Sequence, residues 1–211
     1  MSILPFADRA DAARMLAYRL ADLRGCRPLI LAIPRGAVPI GRVLADALDG
    51  DLDVVLVRKL GAPISAEFAV GAVDESGDMQ VAACADSAGA NEAYLREEAN
   101  RQLARIRQQR LLYGRGRDAI DPRDRVVIVV DDGLATGATM AAALVWVRKR
   151  GPSRLICAVP VASADALAWM SHLADEVVCL ATPANFSSVG AHYRRFDQVE
   201  DSEVVTLLQQ P

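Results

Sequence analysis

The chain has 211 residues, of which 52% are hydrophobic, and 24 basic residues stand against 27 acidic ones for a net charge of -3. This length and apolar content suit one folded domain with its own core. The balanced charge argues against a general nucleic-acid binder or a protein of anionic membrane surfaces, and no apolar run is long enough to span a bilayer.

Four cysteines are scattered along the chain without the spacing of a metal-binding or redox motif. Free thiols in a reducing compartment are therefore a simpler expectation than zinc ligation or disulfide bonds. The N-terminal residues carry charges from Asp8 onward and contain no apolar stretch of signal-peptide length. We expect a cytoplasmic protein that binds neither nucleic acid nor membrane.

Apolar periodicity predicts helices that alternate with strands along the whole chain. The predicted order is helix 8–24, strand 28–33, turn 34–41, helix 38–48, strand 52–59, a long loop 60–80 with short strands near 68–73 and 79–82, helix 89–113, linker 114–124, strand 125–130, helix 138–150, strand 154–160, helix 163–174 and strand 176–181.

Continuous apolar strands separated by helices are typical of an α/β fold in which a doubly wound, mainly parallel sheet is flanked by helices. We expect one domain over 1–211, with a helical insertion at about 83–124 and a small C-terminal hood at about 183–211. Ligands of such sheets bind beyond the carboxyl ends of the strands. The residues that follow the strands should therefore carry the function.

The segment "VVIVVDDGLATGATM" (126–140) combines a buried strand, two acids and a loop of small residues before a helix. Small residues allow backbone N–H groups to approach a ligand, and a helix N-terminus favours a phosphate. Two carboxylates beside a phosphate would repel it unless they bind a diol or a divalent cation. The pattern of a P-loop and that of a dinucleotide fingerprint are both absent. A plain strand–turn–helix with Asp131 as helix cap leaves Asp132 unexplained.

This segment resembles the phosphoribosyl-pyrophosphate (PRPP) motif of type I phosphoribosyltransferases. The resemblance implies that Asp131 and Asp132 bind the ribose hydroxyls and Mg²⁺, and that the loop holds the 5-phosphate. Gly133 stands where the family usually has an apolar residue. The loop residues implied are Ala135, Thr136, Gly137, Ala138 and Thr139.

Two further segments resemble the same family. The strand followed by "PRG" (34–36) is similar to its pyrophosphate loop, in which Arg35 and the N–H groups of Gly36 and Ala37 would bind pyrophosphate. The resemblance also implies a non-proline cis peptide within residues 34–37. "VRKLGAP" (57–63) resembles the Arg-Lys segment after the next strand in adenine and orotate enzymes, which makes Arg58 and Lys59 candidate phosphate contacts, although a solvated charge explains one of the two nearly as well.

The segment "PANFSSVGAHYRRFD" (183–197) resembles the part of hypoxanthine-guanine enzymes that flanks the base. The resemblance implies that Phe186 stacks on the base and that Val189 lies beside it. For Tyr193 and Phe196, ordinary core packing is the better expectation.

The activity implied is Mg²⁺-dependent transfer of phosphoribose from PRPP to a nitrogenous base, with release of pyrophosphate. The resemblance implies that Arg35, Arg58 and Lys59 would stabilise the leaving pyrophosphate, with Arg35 and Lys59 as catalytic cations. Glu67 is preferred over Asp74 and Glu75 as an acid–base group. Adenine enzymes share Ala135, where 6-oxopurine enzymes carry Asp, so a purine-like base other than hypoxanthine or guanine is favoured.

Two alternatives remain open at this point: phosphorolysis of a nucleotide, and a regulatory protein that binds PRPP or a nucleotide without catalysis. A homodimer is implied by the resemblance. The long helix carries several arginines, followed by two more in the linker, and these describe either a solvated surface or a lid that gathers phosphates: Arg96, Arg101, Arg105, Arg107, Arg110, Arg115 and Arg117.

Overall fold

The computed structural model describes residues 4–114 and 119–210, without the side chain of Glu67. Arg115 and Arg117 of the predicted linker lie outside the described residues. In chain order the helices and strands are α1 (Arg9–Arg19), β1 (Leu29–Ala32), α2 (Val38–Leu48), β2 (Asp51–Val54), β3 (Val57–Ala62), β4 (Ser65–Asp74), β5 (Met79–Val81), α3 (Glu92–Gly114), β6 (Val126–Val130), α4 (Ala138–Arg148), β7 (Arg154–Val161), α5 (Ala164–Met170), β8 (Glu176–Ala181) and α6 (Asp201–Gln209).

The central sheet has five parallel strands in the order β2–β1–β6–β7–β8. Alternate strand residues point to opposite faces, so Ile30 and Ile128 pack against α1, α2 and α6 while Leu31 and Val129 pack against α4 and α5. Both faces are therefore covered, as a parallel sheet requires, and the predicted doubly wound α/β class is confirmed.

The predicted strand 52–59 is wrong as a single element, because it divides into two strands of different sheets. β2 pairs with β1, whereas β3 pairs antiparallel with β4, and the buried Val55 and Leu56 lie between them. The short strands predicted near 68–73 and 79–82 are present within β4 and β5, but the rest of the predicted loop 60–80 is wrong, since β3, β4 and β5 form a three-stranded antiparallel sheet. Gly61 and Pro63 are breakers in a local pattern, but tertiary pairing overrides them.

Helix α3 packs against the core of the protein through four buried side chains. It buries Leu95, Ala99, Ile106 and Tyr113, and these side chains belong to the same apolar core as the central sheet. The apolar period of the sequence predicts the first three of them on the buried face of the helix. The insertion is therefore a fixed part of the core.

The C-terminal segment ends in α6, which the sequence pattern did not predict as a separate helix. Its apolar residues Val204, Val205 and Leu208 are buried in the core shared with α2 and α3. Before it, Tyr193 pairs through its backbone with Phe6, so the N-terminal segment contacts the hood segment. Within the described residues we find no helix with the length and apolarity to cross a bilayer.

Candidate functional site

The carboxyl ends of three neighbouring strands lie at one edge of the central sheet. Ala32 of β1 is in register with Val54 of β2 and with Val130 of β6. Because the strands are parallel, the residues that follow them leave the sheet together. This register brings the segments after β1, β2 and β6 to one place, while the predicted Arg58 and Lys59 lie on β3 of the other sheet.

The acid pair leads directly out of β6. The Asp132 N–H donates to Asp131 Oδ1 at 2.8 Å, and the Tyr193 hydroxyl donates to the Asp132 carbonyl at 2.6 Å. Burial, together with the neighbouring Asp132 charge, raises the pKa of Asp131 well above its usual range. Burial also raises the pKa of Asp132, and the Arg9 guanidinium opposes that rise. Two such carboxylates favour cations and hydroxyl donors as partners.

Arg9 is a member of the site that sequence reasoning missed. Its Nε and Nη2 donate to Asp132 Oδ2 at 3.0 and 2.8 Å. Its Nη1 donates to the Asp197 carbonyl at 2.7 Å, and its guanidinium lies 3.8 Å from the centroid of the Phe196 ring. Arg9 therefore neutralises one carboxylate and leaves Asp132 Oδ1 without a hydrogen bond in the described structure.

The loop after the acids forms an open cradle at the N-terminus of α4. Gly137, which precedes α4, is left-handed with φ 77° and offers no side-chain cap. Thr136 and Thr139 are exposed. The first N–H groups of α4 are thus directed toward solvent, apart from a weak 3.5 Å contact from Ala138 N–H to Thr136 Oγ1. This geometry suits a phosphate.

The structure explains why Gly133 stands where the family usually has a larger apolar residue. A Cβ on Gly133 would lie only 2.6 Å from Cγ1 of Val189 and 3.0 Å from Cγ1 of Val161. Val189 therefore occupies the space that a larger residue would fill. The hood residue predicted to border the base thus packs directly beside the acid pair.

The loop after β1 contacts the acid pair from the other side. The Pro34–Arg35 peptide is cis, which confirms the predicted non-proline cis bond. A Cβ on Gly36 would overlap Asp132 Oδ2, so only glycine allows this approach. Arg35 lies 3.9 Å from Glu200 Oε2 and 3.8 Å from Asp201 Oδ2, which are acids at the start of α6. Ala37 N–H donates a long 3.4 Å bond to Ile33 O.

A cavity of about 390 Å³ adjoins these loops. Arg58, Lys59, Pro34 and Thr139, all from predicted site segments, line it together. Arg58 Nη2 donates to Gln109 Oε1 of α3 at 2.9 Å, and no described atom accepts a hydrogen bond from its buried Nε. Burial and the nearby Arg105 charge lower the pKa of Arg58.

Of the three acids considered for proton transfer, two have structural partners. Asp74 accepts hydrogen bonds within its own turn, from the N–H groups of Ser76 and Asp78. Glu75 pairs with Arg110 at 2.9 Å. The side chain of Glu67 lies outside the described structure, so its role stays a prediction.

The aromatic residues of the hood form a small separate cluster. The Phe186 ring lies 5.2 Å from His192, and the Tyr193 ring lies 4.9 Å from Phe196. Tyr193 is buried with Phe6, as expected for core packing. Phe186 does not line the 390 Å³ cavity, and its base-stacking role therefore remains a prediction.

The described residues contain no cluster of three or more His, Cys, Asp or Glu side chains suited to a metal ion. The two adjacent aspartates are few ligands for Ca²⁺ but suit Mg²⁺, which often takes one or two carboxylates and completes its shell with water and substrate phosphates. The donor set therefore fits a magnesium ion that arrives with a phosphorylated ligand.

Residues 3–194 match the family model described as the phosphoribosyl transferase domain. The chain belongs to the phosphoribosyl transferase domain family. A Mycobacterium tuberculosis H37Rv protein named provisionally as a phosphoribosyl transferase is 44% identical over 208 residues, covering 96% of this chain but 46% of that protein. The chain thus spans about half the length of the curated relatives it matches.

Two solved structures are similar to this chain. TT1426 from Thermus thermophilus is 44% identical, has a TM-score of 0.87, and the match covers 97% of this chain and 98% of that one. AQ2163 from Aquifex aeolicus, at 11% identity and a TM-score of 0.50, covers 82% of this chain and 73% of that one, and shows likeness of fold alone. The family match stops before α6, so the acids that face Arg35 lie beyond it.

Proposed function

We propose that this chain is a Mg²⁺-dependent phosphoribosyltransferase that binds PRPP, transfers its phosphoribosyl group to a purine-like base and releases pyrophosphate. The observation that carries the proposal is the contact between the two loops. Gly36 of the "PRG" loop lies against Asp132, while the uncapped N-terminus of α4 opens beside the same pair. The proposed diol site and the proposed phosphate cradle thus meet at one edge of the central sheet, with Arg35 on the adjoining loop.

Each part of PRPP has a candidate partner at this edge. The N–H groups and hydroxyls of residues 135–139 would hold the 5-phosphate. Asp131 and Asp132 would accept hydrogen bonds from the ribose hydroxyls. Arg35, Arg58 and Lys59, with the N–H groups of Gly36 and Ala37, would bind the pyrophosphate.

The reaction forms a bond from a ring nitrogen of the base to C1 of the ribose and breaks the bond from C1 to the pyrophosphate oxygen. The leaving group gains negative charge, which Arg35, Arg58 and Lys59 would stabilise. Mg²⁺, when bound, supplies further positive charge to that group. Glu67 is the proposed acceptor of the proton released by the base, which Phe186 and Val189 would border. Ala135 places no carboxylate in the loop.

We also propose a cytoplasmic homodimer. The four cysteines are free in the structure, which fits a reducing compartment. The likeness to phosphoribosyltransferases supports the dimer.

The test is pyrophosphate release from PRPP and Mg²⁺ with purine and pyrimidine bases offered singly. We expect release with one purine-like base and none from the paired variant Asp131→Asn/Asp132→Asn, because the variant loses its charge toward ribose and metal. Binding of PRPP without release would favour a regulatory protein. Absence of PRPP binding would overturn the proposed function. Release of the free base from a nucleotide in the presence of pyrophosphate would measure the reverse reaction.

A further inference from the structure

One face of α3 forms a wall of the 390 Å³ cavity. Glu98, Gln102, Arg105 and Gln109 line it, and their spacing of four, three and four residues places them on one stripe of the helix. Pro34 and Thr139 lie on the cavity lining as well. The α3 stripe and the two predicted phosphate-binding loops therefore face the same space.

The arginines of α3 differ sharply in their partners. Arg101 lies 2.7 Å from Glu98, and Arg110 lies 2.9 Å from both Asp53 and Glu75. Arg105 lines the cavity, and no acid among the described residues forms an ion pair with it. One arginine of the helix is thus available to a ligand in the cavity.

The charge balance of the cavity favours an anion. Its acid, Glu98, is already engaged by Arg101 and by Gln102 Nε2, the latter at 2.7 Å. Burial is the main cause that lowers the pKa of Arg58. The charge of Arg105 lies close enough to lower that pKa further. Two guanidinium groups that repel each other in a partly buried space are stabilised by an anion between them.

We propose that Arg105 is a further binding residue for the pyrophosphate group of PRPP, assisted by Gln102 and by Gln109, which orients Arg58. This inference rests on the proposed function. Arg105 reaches the cavity from its exposed side, and the buried Nε of Arg58 is a donor without a described acceptor. Arg58 and Arg105 would bind the diphosphate in the cavity that Pro34 also lines.

The test compares four proteins by calorimetric titration with inorganic pyrophosphate and Mg²⁺, and separately with PRPP. They are the unmodified chain, Arg105→Gln, Arg105→Lys and the matched control Arg107→Gln, which removes an exposed charge of the same helix outside the cavity. Removing one charge-assisted contact should weaken pyrophosphate binding by about tenfold in Arg105→Gln, with partial recovery in Arg105→Lys. Arg107→Gln should stay within about twofold of the unmodified chain, because it contributes only long-range charge.

Equal pyrophosphate affinity in Arg105→Gln and Arg107→Gln would overturn this inference. The Asp131→Asn/Asp132→Asn protein separates this inference from the proposed function. If the unmodified chain binds PRPP and this double variant does not, the proposed function stands even where the role of Arg105 is overturned. An unmodified chain that binds neither PRPP nor pyrophosphate would refute both. Thermal melts of all variants should coincide, since Arg105 and Arg107 are exposed.

Discussion

Asp132 is held in place by residues far from it along the chain. Arg9 donates two hydrogen bonds to its carboxylate, and Tyr193 donates one to its carbonyl. With the side chains of Arg9 and Asp132 only 12% and 15% exposed, this pair is screened little by solvent. Arg9 therefore fixes the orientation of one half of the acid pair.

Replacing Arg9 by glutamine should weaken PRPP binding and reduce the free energy of unfolding by about 1.5–3 kcal/mol, because a partly buried carboxylate loses its charged donor. Arg9→Lys should recover part of the loss but not the two-point geometry. The measurements are PRPP titration and urea unfolding. Arg14→Gln on the same helix is the control, since Arg14 is 65% exposed. Equal losses in the two glutamine variants would contradict this role.

The cis peptide at Pro34–Arg35 and the order of strand, acids and helix were predictable because each motif is local. Strand, acids and cradle follow one another, so a parallel register brings them to one edge. Arg9 escaped prediction because its contact with Asp132 spans 123 residues and no local pattern marks it. The partnership of Arg35 with Glu200 and Asp201 escaped for the same reason.

The sequence of helix α3 is compatible with a mobile lid, but in the structure the helix is packed against the core and lines the cavity. Its surface is charged, but four of its side chains are buried in the core. Its cavity-facing stripe lies between that buried face and solvent. The position of Arg105 is therefore set by the packing of the helix.

Ile106→Ala should destabilise the protein by about 2–5 kcal/mol, since Ile106 is 1% exposed and its removal leaves a cavity. The control Leu111→Ala, at a side chain 76% exposed, should change stability by less than about 0.5 kcal/mol. Chemical denaturation measures both. A loss in Ile106→Ala no greater than that in the control would show that α3 is loosely attached.

At the scale of elements, long periodic segments were predictable and pairing was not. The helices and parallel strands have regular apolar periods, whereas β3, β4 and β5 lie in a segment that contains Gly, Pro and acidic residues and are defined by their pairing with one another. The change of sheet at Val55 and Leu56 leaves no local signal, because both residues are apolar and buried like the strand before them. A continuous apolar run can therefore contain a change of direction.

Across the whole molecule, the two sheets share one core. Leu60, Val70 and Val73 of the antiparallel sheet belong to the same cluster as Ile30 and Ile128 of the parallel one. Arg58 and the acid pair belong to different sheets, so side-chain packing rather than a single ladder of hydrogen bonds sets their separation.

If the proposed homodimer forms, sedimentation equilibrium should give a mass of about twice 22.6 kDa at micromolar concentrations. Large apolar side chains that are exposed, such as Ile64 at 87% and Phe68 at 50%, are available for such an interface. A mass of one chain at every concentration would exclude the dimer.

The order in which the chain is synthesised limits when the hydrogen bonds around Asp132 can form. These bonds join Asp132 to Arg9 and Tyr193, and Arg9 to Asp197. The acid pair leaves the ribosome after Arg9 but before the residues that close around it. A nascent chain can build the sheet up to β6 from its N-terminal part, since folding proceeds as segments are released. Asp132 acquires its full set of tethers only when Tyr193, 61 residues further along, and then Asp197 have emerged. The acid pair thus reaches its final arrangement only after the hood segment has been translated, well after the motif itself.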